Sequence, residues 1–218
     1  LGYEYKYGGV TEINKVKALE YLGKSANLGL IFSKLELIDL ESINSFQSLN
    51  ELELLVNSKE VKNTKTTFAL EFIYWHASQY AAMIHKYDKS INYAKKVIDL
   101  VTKRKGEDFE NLAYDYMILA DAYNKAGNFF KALEAVNKAL EIHNISFARE
   151  DSYLMQIFTR KALILENISR NSEALSLYKK IDQYYASAPH DIFLGDHVTS
   201  QFKIAENYLI KGDLINSK

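Results

Sequence analysis

Cysteine is absent from this chain of 218 residues, and proline occurs once, at Pro189. Without thiols the chain can form no disulfide, no thiolate metal site and no cysteine nucleophile. The lack of cysteine fits a reducing cytoplasm and a bacterial periplasm equally well, so it leaves the compartment open. Because there are only nine glycines as well, few residues can end helices or form turns, which predicts a mostly helical protein.

Long apolar runs and an excess of one charge are also missing. No apolar stretch approaches the ~18 residues that a membrane-spanning helix needs, so we expect no membrane insertion. The 27 basic and 28 acidic residues give a formal net charge of −1, which offers no electrostatic basis for binding nucleic acid. The densest basic run, residues 103–105, follows an apolar helix, where cations complement the helix C-terminus.

The sequence does contain a helical pattern that recurs at nearly constant spacing. Four small residues recur at intervals of 42, 42 and 43 positions: Ser78, Ala120, Ala162 and Ala205. Each lies in an apolar helix, which is followed by a polar turn and a second helix. A fixed period of about 20–50 residues is typical of solenoids, in which each unit buries its apolar face against its neighbours. The pattern therefore predicts an all-α repeat protein.

The clearest unit runs from about residue 113 to residue 144. Its first helix carries an apolar stripe at positions i, i+3, i+4 and i+7, formed by Tyr116, Leu119, Ala120 and Tyr123. Gly127 supplies a left-handed helix stop, and Asn128 can cap the next helix. The second helix has its own small residues, Ala132 and Ala139. We expect the small residues of the two helices to let them approach closely.

The segment AYNKAGNFFKALEAVNKALEIHN closely resembles the second half of the tetratricopeptide repeat, with Tyr123, Gly127, Ala132 and Ala139 on its signature positions. Asn144 replaces the closing proline that is usual in that family. The resemblance implies a right-handed α-α superhelix. The basic tetratricopeptide unit has 34 residues, and the longer period here is similar to variants found in bacterial sensor and peptide-receptor proteins.

The N-terminal segment resembles a Sel1-type repeat, a relative of the same helix-turn-helix unit. Its hallmarks are Leu1-Gly2, Tyr3, Tyr7-Gly8-Gly9-Val10, Lys17-Ala18 and Lys24-Ser25-Ala26 to Gly29. We therefore expect Sel1-like helical repeats over residues 1–60 and tetratricopeptide-like repeats over residues 61–218, with a polar seam near residues 59–67. Because both ends of the sequence cut a repeat, we expect the chain to be a piece of a longer array.

In tetratricopeptide arrays the first helix of each unit lines a concave groove, and the resemblance assigns groove positions residue by residue. They are Phe72, Trp75, Gln79, Met83, Tyr114, Met117, Asp121, Asn124, Lys125, Gln156, Thr159, Leu163, Glu166, Asn167, Thr199, Phe202, Glu206 and Leu209. Asn and Gln can bond both the N–H and the C=O of a peptide, so this groove suits a peptide backbone. The expected anchors are Trp75, Tyr114 and Phe202, because buried aromatic residues dominate binding energies. Only Lys125 lies where the family places a carboxylate clamp, so we expect no such clamp.

Motifs that carry catalysis are missing, since the chain has no phosphate loop, Rossmann fingerprint or Gly-x-Ser-x-Gly elbow. If residues 189–197 are helical, His190 and His197 lie seven positions apart on one face, near Asp191 and Asp196, where a metal site can be imagined. The simpler interpretation is that this segment starts a helix. The helical carboxylates are expected to face solvent: Glu51, Glu53 and Glu71. We expect no enzymatic activity, no metal and no cofactor.

Taken together, these patterns predict a non-catalytic scaffold that holds a protein segment or peptide in a concave groove. The expected partner is a protein or peptide and not nucleic acid, and the oligomeric state stays open. One alternative is a ligand- or peptide-sensing module of a larger bacterial signalling protein, such as a histidine kinase, a diguanylate cyclase or a transcription regulator. The sequence that flanks this chain in its gene would distinguish the two. A further alternative, an enzyme using the histidine and aspartate cluster near residues 190–197, could be tested by metal analysis.

Overall fold

The computed structural model describes residues 14–27, 33–34, 38, 45–58, 67–105, 111–146, 151–187 and 194–210. Within these ranges there are nine α-helices of defined extent and no β-strand. The helices are α1 (Lys15–Asn27), α2 (Ser45–Asn57), α3 (Thr67–Met83), α4 (Tyr87–Lys105), α5 (Asn111–Lys125), α6 (Phe129–Ser146), α7 (Ser152–Asn167), α8 (Asn171–Ser187) and α9 (Leu194–Ile210). The predicted all-α fold is confirmed.

The chain divides into two compact units between Arg104 and Lys105. Unit 1 contains helices α1 to α4, and unit 2 contains helices α5 to α9. The predicted boundary between Sel1-like and tetratricopeptide-like repeats, at residues 60 and 61, falls outside the described residues and stays a prediction. Most of the Sel1-type hallmarks, in residues 1–13 and at residue 29, also lie outside the described residues.

The core of unit 1 is formed by apolar side chains of α2 and α3 together with Ile38: Leu49, Leu52, Leu55, Ile73, Ala77 and Ala81. Helix α4 joins this core through Tyr93, which packs against it. A second link is polar, because the Ser78 Oγ donates a hydrogen bond to the Ser90 carbonyl oxygen at 2.9 Å. Both serines are buried. Small side chains that bond across the contact let α3 and α4 approach without leaving a buried hydroxyl unpaired.

The expectation that the carboxylates of α2 and α3 face solvent needs correction at Glu71 and Glu53. Glu71 is 5% exposed, and its two oxygens accept hydrogen bonds from Arg104 Nε at 2.7 Å and Nη2 at 2.6 Å. Glu53 is half-buried and accepts hydrogen bonds at 2.6 Å from Lys89 Nζ and from the Tyr93 hydroxyl. A buried carboxylate needs such partners, because desolvation of an unpaired charge is costly. These partners lie about one repeat away in the sequence, so local spacing does not reveal them.

The core of unit 2 depends on small residues at the contacts between helices. Ala120 of α5 and Ala132 and Ala139 of α6 are fully buried, as the close approach of these helices requires. Between α7 and α8 the core is formed by Leu154, Met155, Ala162, Leu165, Ala174, Tyr178, Ile181 and Tyr185. Each pair of helices thus buries an apolar stripe around a small residue of its first helix.

Three helix-to-helix turns share one backbone geometry. After α5, Gly127 has φ of 73°, the Asn128 N–H bonds to the Tyr123 carbonyl at 2.9 Å, and the Gly127 N–H bonds to the Asn124 carbonyl at 3.0 Å. This pair of bonds is the Schellman motif, which satisfies the last carbonyls of a helix. His85 and Ser169 occupy the same place after α3 and α7, with φ of 59° and 63°. The glycine was recognised from the sequence, whereas the other two left-handed residues were not.

Replacement of Ala132 by leucine is expected to destabilise the protein by roughly 1–3 kcal/mol. The added methylene groups have no space where α5 and α6 meet, because Ala132 is fully buried. The measurement is urea unfolding followed by circular dichroism. Ala186→Leu, the same change at an exposed position of α8, serves as the control and should change stability little. An unchanged free energy of unfolding for Ala132→Leu would contradict the packing.

Replacement of Ser169 by glycine is expected to stabilise the protein by about 0.5–1 kcal/mol. Ser169 has positive φ, a conformation that costs an L-residue more than it costs glycine. The matched control is Ser176→Gly in the middle of α8, at an exposed helical position, where glycine should destabilise by about 0.5–1 kcal/mol. Thermal unfolding of both variants tests the turn, and a loss of stability in both would contradict it.

Candidate functional site

In unit 2, helix α7 directly contacts α5, the first helix of the preceding pair, and α9, the helix that follows its own pair. Polar and aromatic side chains bridge these contacts. We call the surface that they form the α5–α7–α9 face, and define it by Tyr114, Asp121, Asn124, Tyr153, Gln156, Arg160, Glu166, Asn167, Lys203 and Glu206. Because α5 and α7 each begin a helical pair, and the predicted groove also includes residues of α9, this face is the counterpart of the groove that the sequence predicts.

Two polar contacts join α5 to α7. The Arg160 Nε donates to Asp121 Oδ2 at 3.1 Å, and the Arg160 Nη1 donates to the Gln156 carbonyl at 3.2 Å, so the guanidinium is held against both helices. The Asn167 Nδ2 donates to Asn124 Oδ1 at 2.8 Å. These bonds join residues 39 and 43 positions apart, and they fix the register of the two helices.

A shared ammonium group joins α7 to α9. The Lys203 Nζ lies 3.2 Å from Glu166 Oε2 on α7 and 3.0 Å from Glu206 Oε2 on α9. The lysine side chain is 24% exposed, so both attractions are partly shielded from water and are stronger than those of a fully exposed pair. The result is a three-membered charge cluster at the junction of the two helices.

A pair of stacked tyrosines lies elsewhere on the same face. The rings of Tyr114 on α5 and Tyr153 on α7 have centroids 6.4 Å apart and an interplanar angle of 19°. Both side chains are half-buried. Partly exposed aromatic rings offer a large, rigid contact area to a partner.

Several of the predicted groove residues of unit 2 do lie together on this face. Tyr114, Asp121, Asn124, Gln156, Glu166, Asn167 and Glu206 all contact or adjoin the bridging bonds. Lys125 is exposed at the end of α5, and Phe202 on α9 is 64% exposed. Whether these residues bind a partner stays a prediction.

Two predicted groove residues belong to the core. Met117 is fully buried, since it shares a side of α5 with Ala113 and Ala120, which are also fully buried. Thr159 is 7% exposed, and its Oγ1 donates to the Met155 carbonyl at 3.0 Å within α7. The expectation that these two side chains are exposed in a groove is wrong, because helices pack on part of the stripe that was assigned to the groove.

The predicted groove residues of unit 1 lie on α3 and differ in exposure. Phe72 packs against the core of unit 1, with its ring centroid 4.5 Å from that of His76. Trp75 is half-buried and meets the His76 ring edge-on at 4.7 Å. Gln79 is half-buried, and Met83 is 64% exposed. The three rings form an aromatic cluster, so Trp75 has a packing role in addition to any role in binding.

Sequence reasoning missed three residues that organise the face: Tyr153, Arg160 and Lys203. The groove positions were assigned one helix at a time, and these side chains matter because they reach across to the neighbouring helix. A complementary charge about one repeat away, as between Asp121 and Arg160, is the pattern that could have indicated them.

The histidine and aspartate cluster does not form a metal site in the part of the chain that the structure describes. His190 and Asp191 lie outside that part. The His197 Nε2 lies 3.1 Å from Asp182 Oδ1, and the His197 ring stacks on Tyr185 with centroids 5.5 Å apart. Among the described residues no group of three or more His, Cys, Asp or Glu side chains is arranged to hold a metal ion.

In the part of the chain that the structure describes, no helix is long and apolar enough to cross a membrane.

Helical pairs closed by Schellman turns, with the first helices of the two pairs of unit 2 in contact, define a tetratricopeptide-like repeat fold. Solved structures share it. The crystal structure of BtubC (BKLC) from P. vanneervenii superposes with a TM-score of 0.75 at 12% identity and covers 93% of this chain and 84% of that one. Nearly identical TPR-like repeats of a kinesin light chain from P. anserina give a TM-score of 0.68 at 14% identity and cover 87% of this chain and 90% of that one. At these identities the likeness concerns the fold.

Sequence comparison gives a limited relationship. The protein named KINESIN LIGHT CHAIN-RELATED 3 of Arabidopsis thaliana is 27% identical over 109 residues, which are 49% of this chain and 16% of that protein. No protein-family model matches the chain. The chain therefore has the fold of tetratricopeptide-like repeats, and it matches only a small part of the length of this relative.

The free energy of unfolding at high pH should depend on the buried tyrosines of the α5–α7–α9 face. Burial raises the pKa of both Tyr114 and Tyr153 above the ordinary value of about 10. The folded state favours the neutral phenols, so this contribution to stability is fully present below pH ~10 and is lost as the pH rises further. Urea unfolding at a series of pH values should show a steeper loss of stability above pH ~10 in the parent protein than in Tyr153→Phe. Parallel curves would contradict the burial of this phenol.

Proposed function

We propose that this chain is a non-catalytic scaffold that binds an extended protein segment along the α5–α7–α9 face. The observation that carries the proposal is the Asn124–Asn167 amide pair, which lies on one face with the stacked Tyr114 and Tyr153 rings. Side-chain amides and flat aromatic rings are the groups that recurring peptide-binding sites use.

The amide pair retains the capacity to bond a peptide backbone. A side-chain amide has two N–H donors and an oxygen with two acceptor positions. The bond between Asn124 and Asn167 uses one donor and one acceptor, which leaves the Asn124 Nδ2 and the Asn167 Oδ1 for a partner. An extended segment that passes over this pair could therefore donate its N–H to one asparagine and accept from the other.

The fold relationships support a scaffold over an enzyme. The similar P. anserina structure is described as TPR-like repeats, and repeat arrays of this kind present extended surfaces to their partners. The charged side chains of the face are engaged in ion pairs with one another, Asp121 with Arg160 and Lys203 with two glutamates. Charged pairs of this kind hold the helices in register and leave the amides and rings to contact a peptide.

The test begins by selecting peptides that bind the full chain from a random display library. The affinity of a selected peptide is then measured by fluorescence anisotropy. Asn167→Ala is expected to weaken binding by about 1 kcal/mol, the worth of a backbone hydrogen bond. Tyr114→Ala is expected to cost about 2 kcal/mol, as an aromatic anchor does.

Asn137→Ala is the matched control, because Asn137 is exposed on α6 and lies outside the α5–α7–α9 face. It should leave the affinity unchanged, and thermal unfolding of each variant separates binding from stability. The proposal is wrong if no peptide is selected, or if Asn167→Ala and Tyr114→Ala bind as tightly as the parent chain.

A further inference from the structure

A pocket of about 230 Å³ opens in unit 2 where α7, α8 and α9 meet. Its lining consists of Glu166, Asn171, Leu175, Tyr178, Lys203, Glu206 and Asn207. Glu166, Lys203 and Glu206 are also members of the α5–α7–α9 face, so the pocket is continuous with that face. Glu166 directly precedes Asn167, the residue that bonds Asn124. A segment bound over the amide pair would therefore have this pocket beside it.

The charges of the pocket do not balance. One ammonium group, that of Lys203, lies between the carboxylates of Glu166 and Glu206 at 3.2 and 3.0 Å. The cluster thus carries a formal charge of −1. In each carboxylate the Oε2 atom faces Lys203. The Tyr178 hydroxyl also interacts with the Glu166 carboxylate, so the Oε1 atom of Glu206 is the one that remains as an acceptor for another donor.

One further polar atom of the pocket residues, the Asn207 Oδ1, is buried without a hydrogen-bond partner. The Tyr178 side chain is 1% exposed, and its hydroxyl lies beside the Glu166 carboxylate. Buried polar atoms without partners are rare and costly, so each needs a specific explanation. The amide oxygen of Asn207 can only accept a hydrogen bond, so it needs a donor that the described residues do not supply.

We propose that this pocket binds the cationic end of a lysine or arginine side chain from the bound protein segment. An ammonium group brings three N–H donors and a guanidinium five, with no acceptor, and either would neutralise the excess charge. The Oε1 of Glu206 and the Oδ1 of Asn207 supply the acceptors, and Glu166 adds its negative charge. Leu175 and the Tyr178 ring offer apolar surface for the methylene groups of such a side chain. This inference rests on the proposed function and specifies the chemistry of the partner.

The experiment uses the full chain and small probes, so it does not depend on finding a partner. The probes are the Nα-acetyl methylamides of L-arginine, L-lysine and L-glutamine. Their binding is followed by ¹H–¹⁵N NMR through the side-chain amide of Asn207. Both cationic probes are expected to shift this signal in a saturable way, more weakly at high salt, whereas the glutamine probe, of similar size but uncharged, should not.

Two variants change the charge of the pocket in opposite directions. Glu206→Gln removes one carboxylate and should weaken binding of the arginine probe about tenfold, in the range for a charge-assisted hydrogen bond. Lys203→Gln removes the competing ammonium and should tighten binding several-fold. Damage to the fold would weaken binding in both variants. Glu134→Gln, at an exposed position of α6, is the matched control and should bind as the parent does.

The inference is overturned if neither cationic probe shifts the Asn207 amide, if the glutamine probe shifts it equally, or if Lys203→Gln weakens binding. Its failure can be told apart from failure of the proposed function. Selected peptides that bind the α5–α7–α9 face but tolerate replacement of every Lys and Arg would contradict the pocket alone. Saturable binding of the arginine probe without any selected peptide would support the pocket and contradict the peptide-binding function.

Discussion

The close approach of neighbouring helices is the constraint on which the rest of the structure depends. Ser78, Ala120 and Ala162 are fully buried in the first helices of three successive pairs. At such contacts a larger side chain would separate the backbones, because protein interiors are close-packed and tolerate little added volume. Where a hydroxyl replaces a methyl group, as at Ser78, the backbone carbonyl of Ser90 across the contact accepts its hydrogen bond.

The shared turn extends this constraint along the chain. His85, Gly127 and Ser169 each adopt positive φ and close a Schellman motif at the end of a first helix. A common turn gives each helical pair a similar geometry, and within unit 2 helix α7 contacts both α5 and α9. Short polar side chains can then bridge neighbouring helices, as Asn167 does to Asn124.

Two buried polar groups of these units are bonded by residues that are distant in sequence or belong to another element. The carboxylate of Glu71 on α3 is bonded by Arg104 at the end of α4. His143 is fully buried at the end of α6, and its Nε2 lies 3.1 Å from Asp151 Oδ1, an oxygen that also accepts from the Leu154 N–H and so caps α7. Such contacts give each helix a defined neighbour, which apolar packing alone specifies less sharply.

The sequence by itself determined the helical fold, the small residues at the helix contacts and the turn at Gly127, because these features depend on local periodicity and backbone preference. It also placed Tyr114, Asp121, Asn124 and Asn167 on the helices that carry the α5–α7–α9 face. The tertiary structure alone decided the remainder. Met117 and Thr159 are buried, Glu71 is an internal carboxylate, and Arg160 and Lys203 bridge helices. Periodicity shows which side of a helix is apolar, but the contacts of a side chain depend on which neighbouring helix packs there, and that is set by residues about one repeat away.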